Sequence, residues 1–148
     1  MSLPRGDSAE GSIAEAFGRF DFWDAALFEL DGATPLLPKS SFAIAMYELP
    51  EDVQTRDLDD AHTLVYESLR PSEVATRNRD VTQAWAMRTY ARGNYVGVRW
   101  WSYYDATWHS LALWDISRLV LIGAPQRLHS RDHAVEKAAT IIVRRIIR

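Results

Sequence analysis

The chain has 148 residues and no cysteine, which excludes disulfides and thiolate metal sites and fits one domain of ordinary size. Hydrophobic residues make up 47% and charged residues 25%, the balance of a globular chain and not of a disordered one. A formal net charge of −3 gives no long-range attraction to nucleic acid or to an anionic membrane, and no apolar run approaches the roughly 18 residues that span a bilayer.

The first residues, Met1 to Asp7, lack the apolar core of a signal peptide, so the expected location is the cytoplasm. A helix is predicted to begin at Ser12, where Ser12 and Glu15 have capping-box spacing, and to stop at Gly18. Phe20, Phe22 and Trp23 follow and are expected to pack inward, and Asp31-Gly32 marks a turn. Phe42 to Leu49 is an apolar run closed by Pro50, which predicts a strand buried on both faces. Val53 to Leu58 alternates and reads as a second strand.

Asp60 to Leu69 has helical spacing, with Ala61, Leu64, Val65 and Leu69 on the expected inner side. Pro71 breaks that pattern or opens a short helix. Asp80 to Arg92 is the clearest helix: Asp80 caps it, Gln83 completes a box, Gly93 ends it, and Val81, Ala84, Trp85 and Thr89 form its stripe. Strands are predicted at Tyr95 to Trp101, His109 to Trp114 and Arg118 to Ile122, the last ended by Gly123-Ala124-Pro125. Ser130 to Arg148 reads as a closing helix that buries Val135, Ala139, Ile142 and Ile146, with Arg144, Arg145 and Arg148 at its negative end. The expected class is α+β, a mixed and mostly antiparallel sheet with packed helices.

Tyr90, Tyr95, Trp100, Trp101, Tyr103, Tyr104, Trp108 and Trp114 fall within 25 residues, which implies a dense core or a ring-binding pocket. The chain has no Gly-rich phosphate loop, no His-Glu-x-x-His and no Gly-x-Ser-x-Gly elbow. His129 and His133 are four apart, but His129 is expected to precede the helix and no third ligand is evident, so no metal is expected.

Two segments resemble the RES domain, a family named for its Arg, Glu and Ser. The first runs from Arg5 to Phe17 and is similar to the family helix in which a small or apolar residue precedes Glu. The second runs from Thr82-Gln83-Ala84-Trp85-Ala86 through Gly97-Val98-Arg99-Trp100-Trp101 to Ser102, and Leu111 to Trp114 resembles the next apolar strand. The resemblance implies an ADP-ribosyltransferase-like fold over residues 1–148 as a single domain. It implies NAD⁺ as the substrate, a toxin that cleaves the nicotinamide–ribosyl bond by phosphorolysis or hydrolysis, and an antitoxin protein as partner. A homodimer is compatible with it. The family's Arg stands farther upstream of the Glu than Arg5 does, so the chain is expected to be either the family body without its N-terminal segment or a degenerate member of the family.

By this resemblance Glu15 and Ser102 are the catalytic positions. Cleavage develops positive charge on the ribose, which a carboxylate at Glu15 can stabilise, while Ser102 at a strand end can hydrogen-bond ribose or phosphate. The competing reading of Glu15 is a helix cap, and that of Ser102 is an ordinary turn serine. Arg19, four residues past Glu15, meets a pyrophosphate or pairs with Glu15 on a continuing helix. Trp101 and Tyr103 are the candidates for stacking on nicotinamide or adenine; Trp100 and Trp101 point to opposite faces of a strand, so core packing accounts for one of them. The alternative to an enzyme is an inactive RES-like domain that serves as a binding or regulatory module.

Overall fold

A computed structural model describes residues 8–29 and 40–148. The expected Asp31-Gly32 turn and Arg5 lie outside the described residues. In chain order the elements are α1 (Ala9–Phe17), β1 (Phe22–Trp23), α2 (Ala25–Glu29), β2 (Ala43–Glu48), β3 (Arg56–Asp57), α3 (Ala61–Glu67), α4 (Pro71–Val74), α5 (Arg79–Ala91), β4 (Gly97–Trp101), β5 (His109–Leu113), β6 (Val120–Arg127), α6 (His133–Ile141) and β7 (Arg145–Ile146). Helices and strands are mixed, as an α+β class requires. The strands form three small sheets among the described residues where one mixed sheet was expected: β1–β7, β2–β6 and β3–β4–β5. Two of the pairings, β1–β7 and β3–β4, are parallel, and β4–β5 is antiparallel. The chain divides into two compact units, Met1–Tyr47 with Leu121–Arg148, and Glu48–Val120.

In the terminal unit α1 packs on α6. Ile13, Ala14 and Phe17 from α1 and Val135, Ala138 and Ala139 from α6 are buried at the spacing of one helical face. Phe17, Trp23 and Phe28 fill the rest of this core, with ring centroids 4.6 Å apart for Phe17–Phe28 and 5.5 Å for Trp23–Phe28. Lys137 pairs with Glu10 at 2.9 Å, and that contact holds the Glu10 carboxyl below the ordinary range. Of the expected inward aromatics only Trp23 is buried. Phe22, one residue earlier on β1, points to solvent, because successive side chains on a strand face opposite ways.

Strand β2 was expected to be buried on both faces. It pairs only with β6 among the described residues, and a two-stranded ribbon gives it no second covering layer. Met46 and Tyr47 are exposed, and β6 is exposed along its whole length. β6 also runs through Gly123-Ala124-Pro125 to Arg127 instead of stopping there. Gly123 supplies φ +71 and Pro125 sits in a strand of a two-stranded sheet, where a missing donor is tolerated.

The closing helix is shorter than its pattern. It ends near Ile142, where Val143 takes the left-handed φ +55. Val143 N–H then donates to the Thr140 carbonyl (3.3 Å) and Arg144 N–H to the Ala139 carbonyl (2.7 Å), the paired bonds of a Schellman stop. The Arg144 guanidinium donates to the carbonyls of Gly18 (2.9 and 2.7 Å) and Ile142 (3.1 Å), so one cation serves the negative ends of α1 and α6 together. A β-branched residue occupies the position that glycine usually takes.

In the central unit the core is Leu58, Val74, Trp85 and Val98, with Leu64, Leu69, Val81, Trp100, Trp101 and Trp114 packed against it. Asn78, not Asp80, caps α5, and its side chain accepts from Asp80 N–H at 3.1 Å. Trp85 and Thr89 are buried on that helix while Ala84 is exposed. Trp85 meets Trp100 edge-on at 5.6 Å and donates its indole N–H to the Glu73 carbonyl at 3.0 Å. The ladder of the alternating segment is only Arg56–Asp57, parallel to Val98–Arg99. At Gly97 a Cβ would stand 2.3 Å from the Ala112 carbonyl oxygen, so the β4–β5 register excludes any side chain there.

Two substitutions test this backbone account by urea unfolding. Gly97→Ala should lower stability by about 1–3 kcal/mol through overpacking. Val143→Gly should raise it by roughly 1 kcal/mol, since Val143 is exposed and only its left-handed strain is lost.

Candidate functional site

The residues expected to carry function fall in both units: Glu15 and Arg19 in the terminal unit, Trp101, Ser102 and Tyr103 in the central one. The N-cap of helix α1 stands four residues earlier than expected. Ser8 is its N-cap, and Ser8 Oγ accepts from Gly11 N–H at 3.0 Å. The Ser12–Glu15 capping box therefore does not form, and Glu15 lies on the exposed side of the last helical turns. Gly18 ends the helix as expected, its N–H donating to the Ala14 carbonyl at 2.7 Å. Arg19 thus does not share a continuing helix face with Glu15; its guanidinium stands over the Phe20 ring at 4.7 Å.

Ser102 follows β4 directly and is 2% exposed. Its N–H extends the hairpin ladder to the Trp108 carbonyl at 2.8 Å. Its Oγ accepts from Tyr104 N–H at 3.1 Å, which closes a serine turn. The loop is fixed further by Asp105 Oδ1, which accepts from Thr107 Oγ1 at 2.6 Å and Thr107 N–H at 2.8 Å. Those bonds, the hydroxyl first, hold the Asp105 carboxyl below its usual value. Tyr103 is exposed, edge-on to Tyr104 at 5.4 Å, with the Arg77 guanidinium 5.9 Å from its ring centroid. Trp101 is half-buried against the core and sits opposite His109, whose Nε2 meets Asp59 Oδ2 at 3.0 Å. The hairpin end therefore combines a held serine, an exposed ring and a cation.

The central unit also contains a polar cleft that the sequence did not reveal. Helix α3 was expected to turn Val65 inward, yet Val65 is 80% exposed and Glu67 is the buried residue. Glu67 Oε1 accepts from Arg56 Nε at 3.0 Å and from an Arg92 Nη1 that approaches the same oxygen. Arg56 Nη1 also donates to the Tyr95 hydroxyl at 2.9 Å. Both guanidiniums lie over the Tyr66 ring, at 5.1 and 5.3 Å from its centroid. The cleft beside them has a volume of about 430 Å³, and Asp60, His62, Thr63 and Asn94 complete its wall. Asp60 caps α3, and the Thr63 backbone N–H bonded to it holds its carboxyl below the ordinary range. Separations of 11 and 25 residues between Glu67 and its partners leave no local spacing by which a sequence reading could join them.

No family model, curated protein or solved structure matches the chain. Among the described residues there is no cluster of three or more His, Asp or Glu side chains fit to hold a metal ion.

Removing the buried carboxylate leaves two guanidiniums facing each other with no anion between them. Glu67→Ala should therefore cost about 3 kcal/mol in denaturant unfolding, against well under 1 kcal/mol for Asp52→Ala at the exposed Asp52–Arg118 pair.

Proposed function

We propose that this chain is a RES-like domain that binds NAD⁺ and splits its nicotinamide–ribosyl bond, acting in the cytoplasm as a toxin held by an antitoxin protein. The observation that carries this reading is the position of the α1 cap. Ser8 takes the cap position expected of Ser12, so the Ser12–Glu15 box does not form and Glu15 stands on the exposed side of α1. The buried Ser102, fixed by its own turn beside an exposed Tyr103 and Arg77, supports the second half of the reading. A ring to stack on and a cation nearby suit a ligand that joins a planar base to a pyrophosphate.

In the proposed reaction the bond between ribose C1′ and the pyridinium nitrogen breaks heterolytically. Its electron pair goes to the nitrogen, and neutral nicotinamide leaves. Glu15 stabilises the positive charge that develops at C1′. A phosphate oxygen or a water oxygen then bonds to C1′; with water, the extra proton passes to solvent. Ser102, in the central unit, is the residue proposed to orient the ribose or the acceptor, with Trp101 and Tyr103 as the proposed aromatic contacts, while Glu15 belongs to the terminal unit. Arg19 remains a pyrophosphate partner only if its guanidinium leaves the Phe20 ring.

The test is nicotinamide release from NAD⁺ with and without phosphate. Release is expected from the wild-type chain, with a loss of roughly 100-fold in Glu15→Gln and at least about tenfold in Ser102→Ala, both still folded by circular dichroism. Phosphate dependence of the product identifies the acceptor. Saturable NAD⁺ binding without release would replace the enzyme by a binding module, and neither binding nor release would end the reading.

A further inference from the structure

We infer that the cleft beside α3 is a binding site for a tetrahedral oxyanion, the phosphate group of a small metabolite, held by Arg56 and Arg92. This site is separate from Ser102. Tyr95 precedes β4 and Ser102 follows it, and at about 3.3 Å per strand residue the two ends of that segment stand on the order of 20 Å apart.

The charge arrangement motivates the assignment. One buried carboxylate, Glu67, faces two guanidiniums, and no other ion pair engages Arg56 or Arg92 among the described residues. A buried acid needs one partner to be compensated, so the second cation is surplus to the pair. Glu67 also does for these side chains what a ligand would otherwise have to do. It holds both guanidiniums, and both also lie over the Tyr66 ring, so little rotamer entropy remains to be lost on binding.

The remaining wall is rich in donors. The Tyr95 hydroxyl uses an oxygen lone pair to accept from Arg56, which leaves its own hydrogen for an acceptor. Asn94, Tyr66 and His62 line the same space. Asp60 is the acid on that wall, and its Oδ2 is already occupied by the Thr63 N–H (2.8 Å) and Oγ1 (2.9 Å). Two arginine forks offer more donors than the two oxygens of a carboxylate can accept, which favours a phosphate. The volume of about 430 Å³ exceeds what one phosphate needs and leaves room for a small organic group.

The experiment titrates the full chain with inorganic phosphate at constant ionic strength, followed by ¹⁵N NMR of Asn94, Tyr95 and the arginine Nε groups, with sulfate, acetate and ribose 5-phosphate as parallel arms. Saturable shifts at those positions are expected with phosphate and sulfate, and not with acetate. Binding should weaken about tenfold in Arg92→Gln and stay unchanged in Arg118→Gln, an exposed arginine elsewhere in the same unit. Tighter binding of ribose 5-phosphate than of inorganic phosphate would assign the source as a phosphate monoester; equal binding would assign free phosphate. Absence of saturable shifts in the wild-type chain overturns the proposal, as does equal weakening in the two arginine variants. The wild-type titration decides the matter even if Arg92→Gln does not fold.

Discussion

The Glu67 carboxylate organises the central unit. Burying a charge is costly unless opposite charge comes with it, and Arg56 and Arg92 bring that charge to Glu67 beneath α3, one cation more than a single pair needs. Arg56 brings β3, and with it the parallel pairing to β4; Arg92 brings the C-terminal end of α5. The same contact therefore sets which side of α3 faces inward. It also explains how Val65 and Tyr66 come to be solvent-facing despite their apolar surface. Gly97 completes this arrangement at the next strand, since only a bare backbone lets β5 approach there.

The parts legible in the sequence were those set by local chemistry. Asp60 and Gly93 punctuate helices where expected, Pro71 opens α4, and β4 and β5 fall within their expected segments. The misreadings had physical causes of two kinds. Several residues can cap a helix, and neighbours won: Ser8 over Ser12, Asn78 over Asp80. Elsewhere long-range partners overrode the local pattern. The apolar period of α3 pointed to Val65, but two distant arginines rewarded turning Glu67 inward. The apolar period of the last helix continued past Ile142, but the backbone turned at Val143.

The same division applies to the candidate residues. Ser102 was legible as a strand-end serine, and the structure adds the turn that holds its hydroxyl. Glu15 was legible only as an ambiguity between cap and catalyst, and the Ser8 cap shows that the Ser12–Glu15 capping box does not form. Arg77 was not singled out at all. It lies 26 residues before Tyr103, and nothing in the sequence marks their approach. The Arg56–Glu67–Arg92 group was invisible for the same reason: charge pairs between distant segments leave no periodic trace.

The turn at Val143 has a consequence for how the terminal unit opens. Helix ends ordinarily fray one at a time, each carbonyl trading its partner for water. Here the left-handed residue aims Arg144 so that a single side chain covers the last carbonyls of α1 and α6. Neither end can loosen without releasing the side chain that also closes the other. The two helix termini are thereby joined into one cooperative element, although more than a hundred residues separate them along the chain.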